Sequence, residues 1–286
     1  MAELIDENTI ALVGSAANYA HGLIDPIEEI AALAQSRGIG MHVDGCLGGW
    51  LLPWVERLGY DVPLWDFRVP GVTSISADTH KYGYALKGSS VLLYRSRDLR
   101  KHQYFTYPGW PGGLYLSPGL AGSRSGGIIA STYAALLATG ESGYLAAADG
   151  IMRTATAIKE GIRERVPQLE VIGDPTFLIA FKAAEGSDLD IYLVNDSLKE
   201  QGWRMNSLQL PPALHFCITR PNTHDGVAEQ FLEALAVAVA YAEEHRGEPA
   251  QSGAMYGFGH TPQGHATLET VMSGVLDAMH DVAPEG

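Results

Sequence analysis

Short apolar segments alternate with helical segments along the first part of the chain, and this alternation limits the folds open to it. The first apolar segment, TIALVGSA (9–16), is partly β-branched, and PIEEIAALAQSRG (26–38) follows it with helical periodicity. Further strand candidates lie at 40–46, 72–78 and 89–96. Because these segments are apolar throughout, they predict an α/β fold with a mainly parallel sheet covered on both faces.

Local signals mark the ends of the first predicted helix. Asp25 is predicted to cap its amino end, Pro26 fits the first helical position, and Glu28 is the reciprocal capping acid. Gly38 is predicted to stop the helix. The helix therefore connects two strands of the predicted sheet.

The second part of the chain has a different organisation. Residues 104–127 are rich in Gly, Pro and aromatic residues and predict a long structured loop that serves a site or an interface. Helices are predicted at 128–140 and 143–166, and strands and helices mix from about Pro167 onward. We expect part of a large domain (1–140), a linking helix (141–166) and a small α+β domain (167–286).

Composition restricts the classes of partner. The 286 residues carry 19 Lys and Arg against 33 Asp and Glu, a formal net charge of -14. This charge argues against nucleic acid or an anionic membrane as the main partner. With Cys46 and Cys217 as its two cysteines the chain has no disulfide framework, and we expect a cytoplasmic location. The opening MAELIDENT resembles no secretory leader, and we expect no transmembrane segment.

Reactive side chains follow the predicted strands where each strand ends. Ligands of open parallel sheets sit at the carboxyl ends of the strands. Asn18, Tyr19 and His21 follow the first strand candidate, and Asp44 follows the second. His80 and Lys81 follow the third.

An Asp and a Lys on neighbouring strand ends suit an aldehyde cofactor that has a ring nitrogen. A lysine forms a Schiff base with pyridoxal 5'-phosphate, and a carboxylate keeps the ring nitrogen protonated so that the ring accepts an electron pair. Asp44 and Lys81 are the candidates for these two roles. Each signal alone is weak, because a lysine after a strand is more often a solvated surface residue and an aspartate there is usually a turn or cap.

Longer motifs carry a family resemblance. The segments HVDGCLGGW, SADTHKYGYALKG, GSSVLLYRS and WPGGLYLSPGLAGSR occur in this order. Together they resemble the sphingosine phosphate lyases of the pyridoxal-phosphate-dependent group II decarboxylase family. The resemblance implies the aspartate-aminotransferase-like fold (fold type I), a pyridoxal phosphate cofactor and a homodimer whose sites lie between subunits.

The resemblance also implies roles for individual residues. Lys81 would hold the cofactor and His80 would lie beside its phosphate. Asp44 would pair with the pyridine nitrogen, with Cys46 against the ring face. Ser123 would reach the phosphate of the other subunit's cofactor. Three further residues match positions that line the substrate side: Tyr19, His21 and Lys87.

The implied reaction is a retro-aldol cleavage. A phosphorylated long-chain base would be cut between Cα and Cβ, after loss of a hydroxyl proton, to a fatty aldehyde and phosphoethanolamine. Lys87 would hold the substrate phosphate or assist proton transfer, and Tyr19 or His21 would orient the same groups. For Lys87, a solvated loop lysine is the alternative.

The chain departs from this family in what precedes its first strand. Family members carry a glycine-rich phosphate cradle and a ring-stacking residue in strands before the one at 9–16. We therefore expect a chain that lacks the amino-terminal half, through truncation or a split gene, and needs a partner chain. A parallel sheet without those strands is expected to expose an edge and an apolar face.

Three other functions fit the same residues. An amino-acid decarboxylase of the same superfamily would use Asp44 and Lys81 to break a bond to a carboxylate. A metal-dependent hydrolase would use the oxygen and nitrogen ligands His42, Asp44, Asp78 and His80. The third is a catalytically incomplete half-protein that binds a partner through its exposed sheet. Assays with amino acids and with phosphorylated long-chain bases distinguish the decarboxylase from the lyase. Metal analysis of the purified chain tests the hydrolase.

Overall fold

The computed structural model describes residues 1–253 and 262–280. The chain divides into two compact units, Met1–Met152 and Arg153–Gly286. Each unit is described by itself. The division into a large-domain part, a linking helix and a small domain at 140 and 166 stays a prediction.

The first unit contains the predicted sheet. Its strands are β1 (Ala11–Ser15), β2 (Gly40–Asp44), β3 (Ser74–Ala77), β4 (Val91–Tyr94), β5 (Phe105–Tyr107) and β6 (Tyr115–Ser117). Its short helices are α1 (Ile27–Ser36), α2 (Leu52–Arg57) and α3 (Arg97–Arg100). Strands β1 to β4 lie in that order, β1, β2 and β3 run parallel, and β4 pairs with β3 antiparallel. The mainly parallel sheet is thus present.

One face of this sheet is covered, and the prediction of two covered faces is wrong. Burial alternates along β1, β2 and β3, and the buried face carries Met41, Val43 and Ile75. Helix α1 covers that face. Its Ile27 side chain lies so close to Gly14 of β1 that a Cβ on Gly14 would be 2.7 Å from Ile27 Cδ1. The opposite face carries the half-exposed polar side chains of β2 and β3 and Val13, which is 54% exposed.

Helix α1 begins differently from the prediction. Its N-cap is Pro26, and no side chain caps the helix. Asp25 instead accepts hydrogen bonds from the Ser15 N–H (2.7 Å) and from Asn18 Nδ2 (2.9 Å). The predicted cap is therefore wrong, because the Asp25 carboxylate is engaged by the end of β1. The predicted stop is confirmed: Gly38 follows the helix at φ +66°, a conformation that glycine adopts without strain.

The segment predicted as a loop at 104–127 contains a hairpin. Strands β5 and β6 pair antiparallel, and the rings of Phe105 and Tyr115 lie 5.9 Å apart, edge to face. Aromatic and β-branched residues in Phe105–Tyr107 favour strand pairing. The glycine and proline content concealed this pairing in the sequence.

A long helix, α4 (Gly126–Arg165), follows the hairpin. Gly140 interrupts it with non-helical angles (φ 58°, ψ 177°), so it consists of two helices joined at a kink. The two helices predicted at 128–140 and 143–166 are confirmed. The boundary between the two compact units falls within the second helix.

The second unit is a mixed α+β structure, as predicted. Its strands are β7 (Leu169–Val171), β8 (Leu178–Ala183), β9 (Asn206–Gln209) and β10 (Pro212–Cys217), and its helices are α5 (Ile191–Glu200), α6 (Val227–Glu244) and α7 (Pro262–His280). The antiparallel sheet has the order β7-β8-β10-β9. Phe177, Phe181 and Phe231 are fully buried in its core.

None of the helices in residues 1–253 and 262–280 is long and apolar enough to cross a bilayer.

Candidate active site

The candidate site lies at the carboxyl ends of β1, β2 and β3. These parallel strands end at Ser15, Asp44 and Ala77, and the register pairs Ser15 with Asp44 and Asp44 with Ser76. The ends are therefore adjacent along one edge of the sheet. The segments that follow them carry the residues predicted from the sequence.

Lys81 lies in the tight turn after β3. Its backbone N–H donates to Asp78 O (3.1 Å), and its Nζ lies 3.0 Å from Asp78 Oδ2. Burial by itself would lower the pKa of Lys81, but hydrogen bonds to Cys46 and Asp78 and the nearby negative charge raise it overall. The Lys81 amine is thus held as a cation between these two side chains.

Cys46 connects Lys81 to Asp44. Its backbone N–H donates to Asp44 Oδ1 (3.0 Å), and its thiol lies close enough to the Lys81 amine to influence the pKa of that amine. Burial is the main cause that raises the pKa of the Cys46 thiol, and Lys81 opposes it. The sequence-predicted residues Asp44, Cys46 and Lys81 therefore lie together.

Asp44 keeps its negative charge. Its Oδ1 accepts hydrogen bonds from the Cys46 N–H (3.0 Å) and the Ser76 hydroxyl (3.3 Å). Partial burial would raise the pKa of Asp44, but these hydrogen bonds and, in the acidic range, the positive charge of nearby protonated His42 outweigh burial and lower it. Asp44 is consequently ionised at neutral pH.

A hydrogen-bonded chain on the open face of the sheet leads to Asp44. His42 Nδ1 lies 2.8 Å from Ser74 Oγ, and His42 Nε2 lies 3.2 Å from Ser76 Oγ. Burial lowers the pKa of His42 despite the nearby Asp44, so the ring is neutral at pH 7.

The direction of this chain follows from its last member. The single hydroxyl proton of Ser76 goes to Asp44, so Ser76 accepts a hydrogen bond from His42 Nε2–H. The neutral ring then accepts at Nδ1 from the Ser74 hydroxyl. Every donor in the chain thus points toward the carboxylate.

His80 faces a separate part of the same edge. Its Nδ1 donates to Ser89 O (2.6 Å), and its Nε2 lies 3.9 Å from Asp78 Oδ2. His80 also lines a cavity of about 480 Å³ together with Ser89, Ser90 and Arg124. This cavity contains a cation and hydroxyl groups, the donors that an anion such as phosphate requires.

The structure does not test the roles predicted for four further residues. Tyr19 is 67% exposed and His21 is half-buried, both in the segment after β1. Lys87 is exposed in the turn before β4. Ser123 is exposed next to Arg124, within the segment that lines the 480 Å³ cavity. Their predicted roles stay predictions.

Sequence reasoning missed the role of Asp78 as the organiser of the turn. The two Asp78 carboxylate oxygens engage the Ser90 hydroxyl (2.6 Å) and Lys81 Nζ (3.0 Å). The sequence motifs predict Asp78 only as a candidate metal ligand. Its position three residues before a lysine in a turn was the available signal.

Tyr144 is a second missed residue. It is buried, its hydroxyl donates to Gly83 O (2.9 Å), and its ring stacks on Trp54 at 5.3 Å and on Tyr84 at 5.9 Å. It therefore braces the turn that carries Lys81. No motif in the sequence connects a residue of α4 with this turn.

The donor set fits pyridoxal phosphate. An amine for the aldehyde, an anionic carboxylate for the ring nitrogen and a side chain between them are present in Lys81, Asp44 and Cys46. A cavity of about 800 Å³ in the second unit is larger, but it contains none of the predicted residues.

The metal-hydrolase reading finds no support in this geometry. The His42 ring nitrogens contact serines, and His80 Nδ1 contacts a backbone carbonyl. Within residues 1–253 and 262–280, no group of three or more His, Cys, Asp or Glu side chains is placed to hold a metal ion.

Comparison with known families identifies the class of protein. Residues 6–184 match the family described as the pyridoxal-dependent decarboxylase conserved domain. The chain belongs to this family. Membership confirms the family assignment made from the sequence and the predicted pyridoxal phosphate cofactor.

Relatives to which this chain is similar include several sphingosine-1-phosphate lyases. The chain is 42% identical to that of Dictyostelium discoideum over 281 residues, 98% of this chain and 52% of the relative. It is 48% identical to that of Arabidopsis thaliana over 243 residues, 85% of this chain and 44% of the relative. The chain thus spans about half the length of the curated relatives it matches.

Solved structures confirm the predicted fold type I architecture. The sphingosine-1-phosphate lyase of Burkholderia pseudomallei superposes with a TM-score of 0.86 at 48% identity, over 99% of this chain and 59% of that one. Glutamate decarboxylase of Lactobacillus brevis gives a TM-score of 0.69 at 23% identity, over 84% of this chain and 57% of that one. The second likeness concerns the fold alone.

Proposed function

We propose that this chain is the lysine-bearing part of a pyridoxal-phosphate-dependent carbon-carbon lyase. Its substrate is a phosphorylated sphingoid base, which is cleaved by retro-aldol chemistry to a fatty aldehyde and phosphoethanolamine. The observation that carries the proposal is that Asp44, Cys46 and Lys81 lie together at the carboxyl ends of β2 and β3. The sphingosine-1-phosphate lyase relatives support the substrate class.

Lys81 is the residue that holds the cofactor. The Lys81 amine reacts only after it loses a proton. Asp78 Oδ2, 3.0 Å away, favours the charged amine and raises the pKa of Lys81, so this proton would leave to solvent when the cofactor binds.

Asp44 holds a proton on the cofactor's ring nitrogen. When bound, pyridoxal phosphate supplies a ring that accepts the electron pair of the bond broken next to the substrate amine. Asp44 is suited to this role because its pKa is lowered and it remains anionic at neutral pH. Cys46 packs between the two anchoring side chains.

The remaining roles concern phosphate and substrate. His80 and Ser123 lie beside cofactor phosphate, Ser123 toward that of a second subunit. Tyr19, His21 and Lys87 line the substrate side, where Lys87 holds the substrate phosphate or assists proton transfer and Tyr19 or His21 orients the same groups.

The working enzyme is an assembly. We propose a homodimer, or an assembly with a polypeptide that supplies the half of the relatives this chain does not match. The coverage of about half the relatives' length supports this statement. Cys46 and Cys217 form no disulfide bond, which supports a cytoplasmic location.

Cofactor labelling and product analysis test the proposal. The chain, alone and co-expressed with the unmatched part of the Burkholderia pseudomallei lyase, is incubated with pyridoxal phosphate, reduced with borohydride and digested. We expect the label on Lys81, its loss in Lys81→Arg and its retention in the matched variant Lys87→Arg. A label on another lysine would overturn the assignment.

Substrate identity is tested with the same assembly. We expect fatty aldehyde from a phosphorylated sphingoid base and no carbon dioxide from glutamate or aromatic amino acids. Release of carbon dioxide without aldehyde would replace the lyase by the amino-acid decarboxylase alternative.

A further inference from the structure

The turn that follows β3 contains a strained residue. Tyr84 has φ 58°, and every other positive φ found within residues 1–253 and 262–280 belongs to a glycine. A residue with a Cβ is strained in this left-handed conformation, whereas glycine is not. Such strain persists where surrounding contacts hold it, and it is common at functional sites. Tyr84 lies three residues after Lys81, so the strain is in the turn that carries the candidate cofactor lysine.

The backbone of this turn is compact. The Tyr84 N–H donates to Lys81 O (3.1 Å), and the Ala85 N–H donates to Thr79 O (3.0 Å). Gly83 packs directly on the start of the turn, since a Cβ on Gly83 would lie 2.5 Å from Thr79 O. A shift of the backbone beyond Lys81 is therefore transmitted to Lys81 through these short contacts.

Tyr144 of α4 holds the strained residue in place. The Tyr144 ring lies nearly parallel to the Tyr84 ring, with 5.9 Å between their centroids and 14° between their planes. The Tyr144 hydroxyl donates to Gly83 O (2.9 Å). Tyr144 is buried and also stacks on Trp54 of α2, at 5.3 Å and 4°. A side chain that is fixed against α2 thus contacts both Gly83 and Tyr84.

The kink in α4 allows its two helices to hold the turn at separate points. Gly140 has φ 58° and ψ 177°, angles that are open to glycine alone, and Tyr144 follows it in the first turn of the second helix. Thr132 belongs to the first helix, and its Oγ1 lies 3.0 Å from Ser89 Oγ, which contacts Thr79 Oγ1 at 2.5 Å. The contact at Thr79 does not involve Tyr144, so removal of the Tyr144 side chain loosens the far part of the turn.

We propose that Tyr144 is a positioning residue for Lys81. Through Gly83 and the strained Tyr84 it holds the Lys81 amine in the position from which the amine reacts with the aldehyde of pyridoxal phosphate. The inference rests on the role of Lys81 in the proposed function. A reacting group that is misplaced by about 1 Å can lose about a hundredfold in rate, so a rigid support for the amine favours the reaction.

The rate of cofactor capture tests this role. Variants of the assembly used for cofactor labelling are incubated with pyridoxal phosphate and trapped with borohydride, and the label on Lys81 is followed over time. Tyr144→Leu removes the ring and the hydrogen bond, and we expect capture to slow about tenfold or more. Tyr144→Phe keeps the ring and removes the hydrogen bond, so a smaller decrease is expected. The matched control Tyr241→Leu removes a tyrosine that stacks on His245 in the second unit, and it should leave the rate unchanged.

Tyr84→Gly separates a positioning role from a general loss of stability. Glycine adopts φ 58° without strain, so the turn no longer depends on Tyr144 to hold it. We expect Tyr144→Leu to slow capture much less in combination with Tyr84→Gly than by itself. An equal slowing in both backgrounds would show that Tyr144 acts through overall stability, and it would overturn the proposal.

The pKa of Lys81 provides a measurement that needs no cofactor. Burial would lower this pKa, but Cys46 and Asp78 raise it overall, and both contacts depend on where the turn holds the amine. In Tyr144→Leu we expect the pKa of Lys81, measured by carbon-13 NMR of Cε, to fall toward its ordinary value. The amide of Ala85 should exchange faster in the same variant. An unchanged pKa of Lys81 together with unchanged exchange at Ala85 would overturn the positioning role.

The results separate this inference from the proposed activity. A label on another lysine in the unsubstituted protein would overturn the lyase assignment, while a lowered pKa of Lys81 in Tyr144→Leu would still show that Tyr144 positions Lys81. If Tyr144→Leu does not fold, Tyr144→Phe decides the question. A rate of capture and an exchange rate at Ala85 equal to those of the unsubstituted protein would then overturn the proposal, and a decrease in the first with an increase in the second would support it.

Discussion

At the scale of single residues, the charge of Asp44 depends on the groups that point toward it. Ser76 donates to Asp44 Oδ1, and His42 donates to Ser76, so the strand neighbour of Asp44 contributes directly to its lowered pKa. A carboxylate with a lowered folded-state pKa stabilises the fold above its ordinary pKa of about 3.9. That contribution disappears as the pH falls through the folded-state value.

Ser76→Ala tests this dependence. The substitution removes a donor to Asp44, so we expect the pKa of Asp44 to rise and the free energy of unfolding at pH 7 to fall by about 1 kcal/mol. The part of this destabilisation that is due to Asp44 should decrease as the pH is lowered through the pKa of Asp44. Carbon-13 NMR of the Asp44 carboxyl group and urea unfolding at several pH values measure both effects.

Ser74→Ala is the matched control. Ser74 donates to His42 and makes no described contact with Asp44, so its removal should leave the pKa of Asp44 nearly unchanged. An equal rise of the Asp44 pKa in both variants would contradict the direct role of Ser76.

Sequence motifs were sufficient to identify three residues of the candidate site. Asp44, Cys46 and Lys81 follow strand ends, and the structure brings them together. The role of Ser76 depends on the register that sets it beside Asp44, and register between two parallel strands is not visible in a sequence. The roles of Tyr19, His21, Lys87 and Ser123 stay predictions, because nothing in the structure tests them.

At the scale of elements, glycines allow the segment after β2 to pack against β1 and β3. A Cβ on Gly48 would lie 2.3 Å from Ala16 O and 2.6 Å from Leu52 Cδ1, and a Cβ on Gly49 would lie 2.7 Å from Ala77 Cβ. The Gly48 N–H also donates to Ala16 O (3.2 Å). These contacts fix the path of the chain directly after Cys46.

Gly48→Ala is expected to destabilise the protein. The new methyl group meets backbone atoms that have to move, so we expect the free energy of unfolding to fall by about 1–3 kcal/mol. Gly126→Ala is the control, because nothing lies within 4 Å of a Cβ there. Urea unfolding measures the free energy of unfolding of both variants. Equal values would show that the segment after β2 moves to accommodate the methyl group without loss of stability.

Elements with a strong repeating pattern were predictable, and those decided by tertiary contacts were not. The β1-α1-β2 unit and the kinked pair of helices in α4 follow from periodicity and from Gly38 and Gly140. The hairpin β5-β6 was missed because its strands are three residues long and embedded in glycine and proline. The predicted cap of α1 is wrong because the Asp25 carboxylate accepts a hydrogen bond from Ser15 of β1. Such a contact between separate elements is not visible in the sequence.

At the scale of the whole molecule, exposed apolar groups and net charge have opposite effects on association between copies. Ile129, Tyr133 and Leu137 recur every four residues of α4 and are 59%, 63% and 64% exposed, so they form one apolar stripe. Ile10 and Val13 are exposed as well. Surfaces of this kind favour association, and the formal charge of -14 opposes it at pH 7.

Lowering the pH is therefore expected to cause self-association. At the sequence pI of about 5.0 the net charge approaches zero and the repulsion between copies disappears, while the apolar stripe of α4 is unchanged. Sedimentation velocity at pH 7 and pH 5 should show a larger average mass at pH 5, reversed on return to pH 7, with far-UV circular dichroism confirming that the fold persists. The double variant Ile129→Lys and Leu137→Glu keeps the net charge while interrupting the stripe, and it should reduce association at pH 5. Equal masses at both pH values would show that charge is not what keeps the copies apart.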